Sequence, residues 1–120
     1  MDLPQKGEDE HILGFILNKL YLGRYWVKPG KKPKKHTSVK NIPKSYPAEF
    51  RGKFSKNLNW LVKKGLVSRF PHSGDRERHV CAVLDPNAQE IGLPICNKYR
   101  LSVGLPELDD RFKEIIERNE

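Results

Sequence analysis

Long apolar runs are missing from this 120-residue chain. None approaches the roughly 18–20 residues that a membrane span requires. Cysteine is scarce: Cys81 and Cys96 are too few for a disulfide scaffold. The start, Met1-Asp2-Leu3-Pro4, carries neither a basic stretch nor an apolar one, so no secretory signal is expected and the chain reads as cytoplasmic. Gly-rich phosphate loops, a Gly-x-Ser-x-Gly elbow and kinase signatures are absent. Asp109 and Asp110 are neighbours that would point in different directions on a helix, which does not make an acid–base dyad. His72, His79, Cys81 and Cys96 could in principle gather around zinc, but the sequence has no Cys-x-x-Cys and no paired-histidine spacing. No enzymatic activity and no cofactor are therefore expected. Hydrophobic residues are only 37% of the chain, enough for one economical core and one domain.

Acids are the third scarcity, and theirs is local. The net charge is +8, but it is divided unevenly. Residues 1–23 hold two bases and four acids; residues 24–78 hold sixteen bases and three acids; residues 79–120 hold five bases and eight acids. A merely solubilising surface would intersperse the signs. Concentration of positive charge in the middle of the chain implies a face for a polyanion, with both flanks turned away from it. Nucleic acid is the expected partner, hence nucleoid or ribosome association, and DNA is favoured over RNA.

Read along the chain, residues 1–8 form a polar tail. A helix over about 9–22 has apolar residues nearly all round, with Ile12, Leu13, Ile16, Leu17 and Leu20 on one side and Phe15 and Leu22 on the other. Such a helix is buried on more than one side. Tyr25-Trp26-Val27 suits a short strand. Residues 28–35 are a Lys/Pro arm without an apolar side chain, expected to be exposed. Thr37 or Ser38 caps a short helix that Pro43 ends. Pro47 then opens a helix over 47–64, with Phe50, Phe54, Leu58, Leu61 and Val62 on one stripe and Gly65 as its stop. The period changes to two after Gly65: strands over 66–71 and 78–84 flank a loop at 72–77. These pieces make residues 9–86 one domain. Residues 87–105 are punctuated by Gly92, Pro94 and Gly104, which argue for loops around a short helix at 87–91 and an extended run at 98–103. Within the C-terminal extension, 87–120, an amphipathic helix over 106–118 carries Leu108, Phe112, Ile115 and Ile116.

Helix, strand, short helix, turn, long helix and hairpin are the chain order of a winged helix-turn-helix. Leu61-Val62-Lys63-Lys64-Gly65-Leu66-Val67 resembles the end of the recognition helix and the first wing strand of many winged-helix proteins. His36-Thr37-Ser38, Ile42-Pro43-Lys44, Pro47 and Arg51-Gly52 extend the resemblance to small, largely uncharacterised archaeal winged-helix proteins. It covers about residues 36–84. The long arm and Pro71 in the wing strand depart from the pattern. The resemblance implies an α+β fold, a three-helix core with a β-hairpin wing, and a transcriptional regulator or chromatin-associated factor.

The outer face of helix 47–64 would present Lys53, Lys56, Asn59 and Lys63. Lysines serve phosphates as point charges, and an asparagine can read a base edge. Lys44 and Arg51 sit near the start of that helix, Arg76 and Arg78 on the wing, and Lys31, Lys32, Lys34 and Lys35 on the arm. Arm contacts would add affinity without sequence preference. Trp60 falls on this polar face, to be covered by the arm, Trp26 or the C-terminal segment, or else used for base stacking or a protein contact. The first and C-terminal helices could form a homodimer suited to a palindromic site. Two alternatives remain: an RNA-binding or ribosome-associated winged helix, and a protein-interaction winged helix in transcription or replication machinery.

Overall fold

The computed structural model describes residues 2–33, 35–71 and 78–108, an α+β arrangement built around the first helix, α1 (Asp9–Leu22). Asp9 and Glu10 in its first turn and Lys19 in its last turn complement the helix dipole. Ile12, Leu13, Ile16, Leu17, Leu20 and Tyr21 are buried, and they lie on several sides of the helix, as the all-round apolar pattern requires. One side meets the sheet and α2 (Phe54–Lys63); another is covered by α3 (Pro86–Ser102). α1 approaches α3 closely at Gly14, where a methyl group would collide with Tyr99 Cβ and the Ile95 carbonyl. Only a residue without a side chain fits there.

The strands are β1 (Trp26–Val27), β2 (Thr37–Ser38), β3 (Val67–Pro71) and β4 (Arg78–Val83). β4 is central. β3 pairs antiparallel along one of its edges, from Val67 opposite Ala82 to Pro71 opposite Arg78. β2 and β1 share the other edge end to end: Thr37 faces Val80 in antiparallel sense, and Trp26 faces Ala82 in parallel sense. Pro71 is tolerated because it ends an edge strand. Val80, Ala82 and Leu84 enter the core, whereas Cys81, fully buried, points to the outer face. Its cover is the returning arm, whose Lys35 carbonyl accepts the Cys81 thiol proton at 3.3 Å.

Several expectations need correction. The arm is exposed at Pro29, Gly30, Lys31, Lys32 and Lys35, as expected, but the Lys35 carbonyl also bonds Cys81 of β4. Ser38 holds the N-cap position, as expected, and belongs with Thr37 to a strand as well; the helix that follows, Val39–Ser45, is a 3-10 helix that contains Pro43. The expected helix 47–64 is two pieces, a 3-10 helix at Ala48–Lys53 and then α2. Gly52 weakens α-helical propagation, and short 3-10 turns are common at helix starts. α2 buries Phe54, Leu58 and Leu61, while Phe50 and Val62 are half-buried on the same core. Gly65, at φ +77°, reverses the chain, with Leu66 N–H bonded to the Leu61 carbonyl and Gly65 N–H to that of Val62.

The largest departure is α3. A single helix of 17 residues replaces the loops expected over 87–105. Asp85 caps it by accepting the Asn87 amide at 2.9 Å, and Pro86 occupies the first turn. Gly92 lies under the Tyr21 hydroxyl, and Pro94 is turned to solvent. In the last turn of α3, Arg100 is buried and donates to the Asn18 side chain at 2.8 Å and the Pro106 carbonyl at 2.7 Å. Asn97 grips both backbone groups of Leu108, whose side chain packs on the core. Residues 106–108 are not helical. The remainder of the expected helix 106–118, with Phe112, Ile115 and Ile116, lies outside the described residues, as do Lys34 and residues 72–77 with Arg76. No helix among the described residues is long and apolar enough to cross a membrane.

Candidate nucleic-acid interface

Burial of Phe54, Leu58 and Leu61 orients α2 and turns Lys56, Asn59, Trp60 and Lys63 outward, all of them exposed. β3 lies alongside: the Arg69 guanidinium donates to Asn59 Oδ1 at 2.6 Å. From Phe54 to Pro71 the sequence contains no acidic residue. α2 and β3 therefore make one continuous surface of bases and amides. Trp60 is 37% exposed. The Lys64 ammonium stands 5.7 Å from the centre of its ring, a cation–π distance. Trp26 is turned elsewhere, with its indole N–H on the Tyr21 carbonyl.

Hydrogen bonding divides the expected contact residues into two groups. Lys53 donates to the Gly7 carbonyl at 2.9 Å, and Arg51 donates to the carbonyls of Lys44 and Tyr46. These cations hold loops in place. Lys56 forms an ion pair with Asp9 at 3.2 Å. Asp9 also accepts from Asn57, and that hydrogen bond, with the one from Lys56, holds its carboxyl below the usual range. The acidic N-terminal flank thus touches the basic helix at its first turns and does not turn away from it. Lys35 stands 5.1 Å over the Tyr25 ring. By contrast, the side chains of Lys31, Lys32, Lys44, Lys63 and Arg78 are exposed and make no hydrogen bond or ion pair among the described residues. Arg69 and Lys64 belong to the surface and were not singled out from the sequence. Alternation along β3 puts Arg69 on the face of Val67, and only the proximity of α2 makes it part of this surface.

The remaining candidates settle elsewhere. α1 is enclosed by α3 and the core, so Leu22 is its exposed apolar side chain; α3 and its continuation expose Ile91, Leu101, Val103 and Leu105. Cys81 lies under the arm, and Cys96 lies on α3 beside Asn18. Burial pushes both thiols up to about 12. His36 and His79 share a hydrogen bond of 2.8 Å, and no metal-binding cluster is present among the described residues. Comparison of the chain with protein-family models, curated proteins and solved structures gives no match.

Proposed function

We propose that this protein binds duplex nucleic acid, with DNA favoured over RNA, as a winged helix acting in transcription regulation or chromatin. Supporting the winged-helix reading are the order helix, strand, 3-10 helix, helix, hairpin and the antiparallel strand order β2–β4–β3, with parallel β1 as an addition. The observation that carries the function is that α2 and β3 contribute no acidic residue of their own, and that Asn59 and Arg69 are joined there with Lys63 exposed beside them. A helix of this kind enters a major groove and leaves its lysines to phosphates. Arg78 and the arm residues Lys31 and Lys32 add backbone contacts that depend on salt. Asn59, Lys63, Lys64 and Arg69 form the centre of the contact surface, while Arg51 and Lys53 serve the fold.

A second reading has its own support in exposed Trp60. An indole beside Lys63 and Lys64 suits the stacking of an unpaired base, which favours single-stranded RNA or DNA. Fluorescence anisotropy with duplex DNA, structured RNA and single strands across a salt series separates the two. The duplex reading expects Lys63→Ala with Arg69→Ala to weaken duplex binding and to lower the salt slope by about 2. Equal duplex binding by wild type and this variant at every salt concentration would remove it. Selective loss of single-strand binding in Trp60→Ala would favour the second reading. Binding to none of the three would leave the protein-interaction alternative.

A further inference from the structure

The charges that α2 does not use include a second group of bases around a cleft of about 570 Å³. The cleft lies where three parts of the chain meet: the start of α1, the turn between the two 3-10 helices, and the end of α3. Lys6, Lys44 and Arg51 line it, and no lining residue is acidic. Two carbonyls hold Arg51 through Nε and one Nη, which fixes the guanidinium and leaves three of its five N–H groups uncommitted. Phe15 and Tyr99, edge to face with ring centres 5.8 Å apart, supply an apolar wall.

The same cleft is lined by a buried polar pair with one proton that the described residues do not bind. His11 and Tyr46 are each 4% exposed. The Tyr46 hydroxyl accepts the Gly7 amide at 2.8 Å and lies 2.7 Å from His11 Nδ1. Burial, then the charge of Lys6, lowers the His11 pKa and so favours the neutral ring, against a smaller opposing effect of Glu8. A neutral imidazole carries one N–H. If Tyr46 donates to Nδ1, the hydrogen sits on Nε2; if Nδ1 donates to Tyr46, the hydroxyl keeps a proton of its own. Either way one donor finds no acceptor among the described residues. Glu8, the nearby carboxylate, is bonded to the Gln5 amide.

We propose that this cleft binds a nucleoside monophosphate group. The phosphate would be held by Lys6, Lys44 and Arg51, and an acceptor atom of the ligand would take the spare His11–Tyr46 proton. A doubly charged phosphate matches three cations, and the ring needs the aromatic wall. The volume suits an organic ligand much larger than an inorganic ion. The group can belong to a free mononucleotide or to the 5′-phosphorylated end of a strand. This site lies apart from Asn59, Lys63 and Arg69 and does not rest on the duplex reading.

NMR titration of the full chain tests the site, with AMP, adenosine, inorganic phosphate, benzoate and a 5′-phosphorylated dinucleotide as probes. AMP is expected to saturate, with shifts centred on His11, Tyr46 and Tyr99. Lys6→Gln with Lys44→Gln, both exposed and outside the fold's hydrogen bonds, should keep the spectrum of the folded protein and weaken AMP at least about tenfold. Tighter binding of the dinucleotide than of AMP would assign the strand end; the reverse would assign the free nucleotide. The proposal is overturned if AMP does not saturate, if adenosine or inorganic phosphate binds as well as AMP, if benzoate binds in its place, if the double variant binds AMP unchanged, or if the shifts fall on Lys63 and Arg69.

Discussion

Replacing Tyr46 by phenylalanine removes one oxygen atom and leaves the ring. The aromatic contacts of that ring with Phe15, Phe50 and Phe54 survive, so the change isolates the hydroxyl. Without it, the Gly7 amide loses its acceptor at 2.8 Å, and His11 Nδ1 loses its partner at 2.7 Å. Both bonds are buried, and an unmet buried polar group costs about 1–3 kcal/mol. Two such groups sharing one site do not add fully, which places the loss at about 2–4 kcal/mol. For a chain of this length that corresponds to a fall in Tm of roughly 8–15 °C. Urea denaturation followed by circular dichroism reads the free energy, and a thermal scan reads Tm. Tyr99→Phe is the control, because its hydroxyl has no hydrogen bond among the described residues; it should stay within about 0.5 kcal/mol of wild type. If Tyr46→Phe behaves like that control, the hydroxyl does not join the N-terminal segment to the turn at 46, and the polar pair of the cleft falls with it.

Gly14→Ala puts a methyl group into Tyr99 Cβ and the Ile95 carbonyl and should cost at least about 2 kcal/mol by forcing α1 from α3. Gly52→Ala, with nothing within 4 Å and no positive φ, should be neutral or slightly stabilising in the same denaturation experiment. Asp9→Asn removes the carboxylate from Lys56 and should tighten nucleic-acid binding and steepen its salt dependence by up to about one phosphate contact, read by anisotropy. Cys81 and Cys96, both fully buried with thiols pushed up to about 12, should resist a thiol reagent at pH 8 until urea unfolds the chain; rapid modification of either in the native protein would contradict their burial.

Much of the framework follows from local pattern. α1 is apolar on several sides, and a helix with that pattern has to be enclosed. The stripe Phe54, Leu58, Leu61 with Gly65 behind it specifies a helix, its buried face and its end. The change to period two after Gly65 specifies the hairpin, and the run without acids from Phe54 to Pro71 marks the basic surface. Periodicity failed at α3 for a physical reason. Its buried positions are Ala88, Gly92, Leu93, Cys96 and Arg100, helically spaced, but three of them are a glycine, a thiol and a cation, and Pro94 sits among them. They read as a core face only once Tyr21, Asn18 and α1 supply the partners, because packing on a neighbouring helix outweighs weak intrinsic propensity. The fate of each cation is equally non-local. Composition makes Arg51, Lys53, Lys56 and Lys63 alike, yet carbonyls hold the first two, Asp9 holds the third, and the fourth is exposed. The cleft beneath Tyr46 belongs to the same class, since His11, the 44–51 turn and Tyr99 lie far apart along the chain. Spacing reports which side of an element is apolar; the pairing of charges and donors depends on which elements meet, and that is set by the packing of the whole molecule.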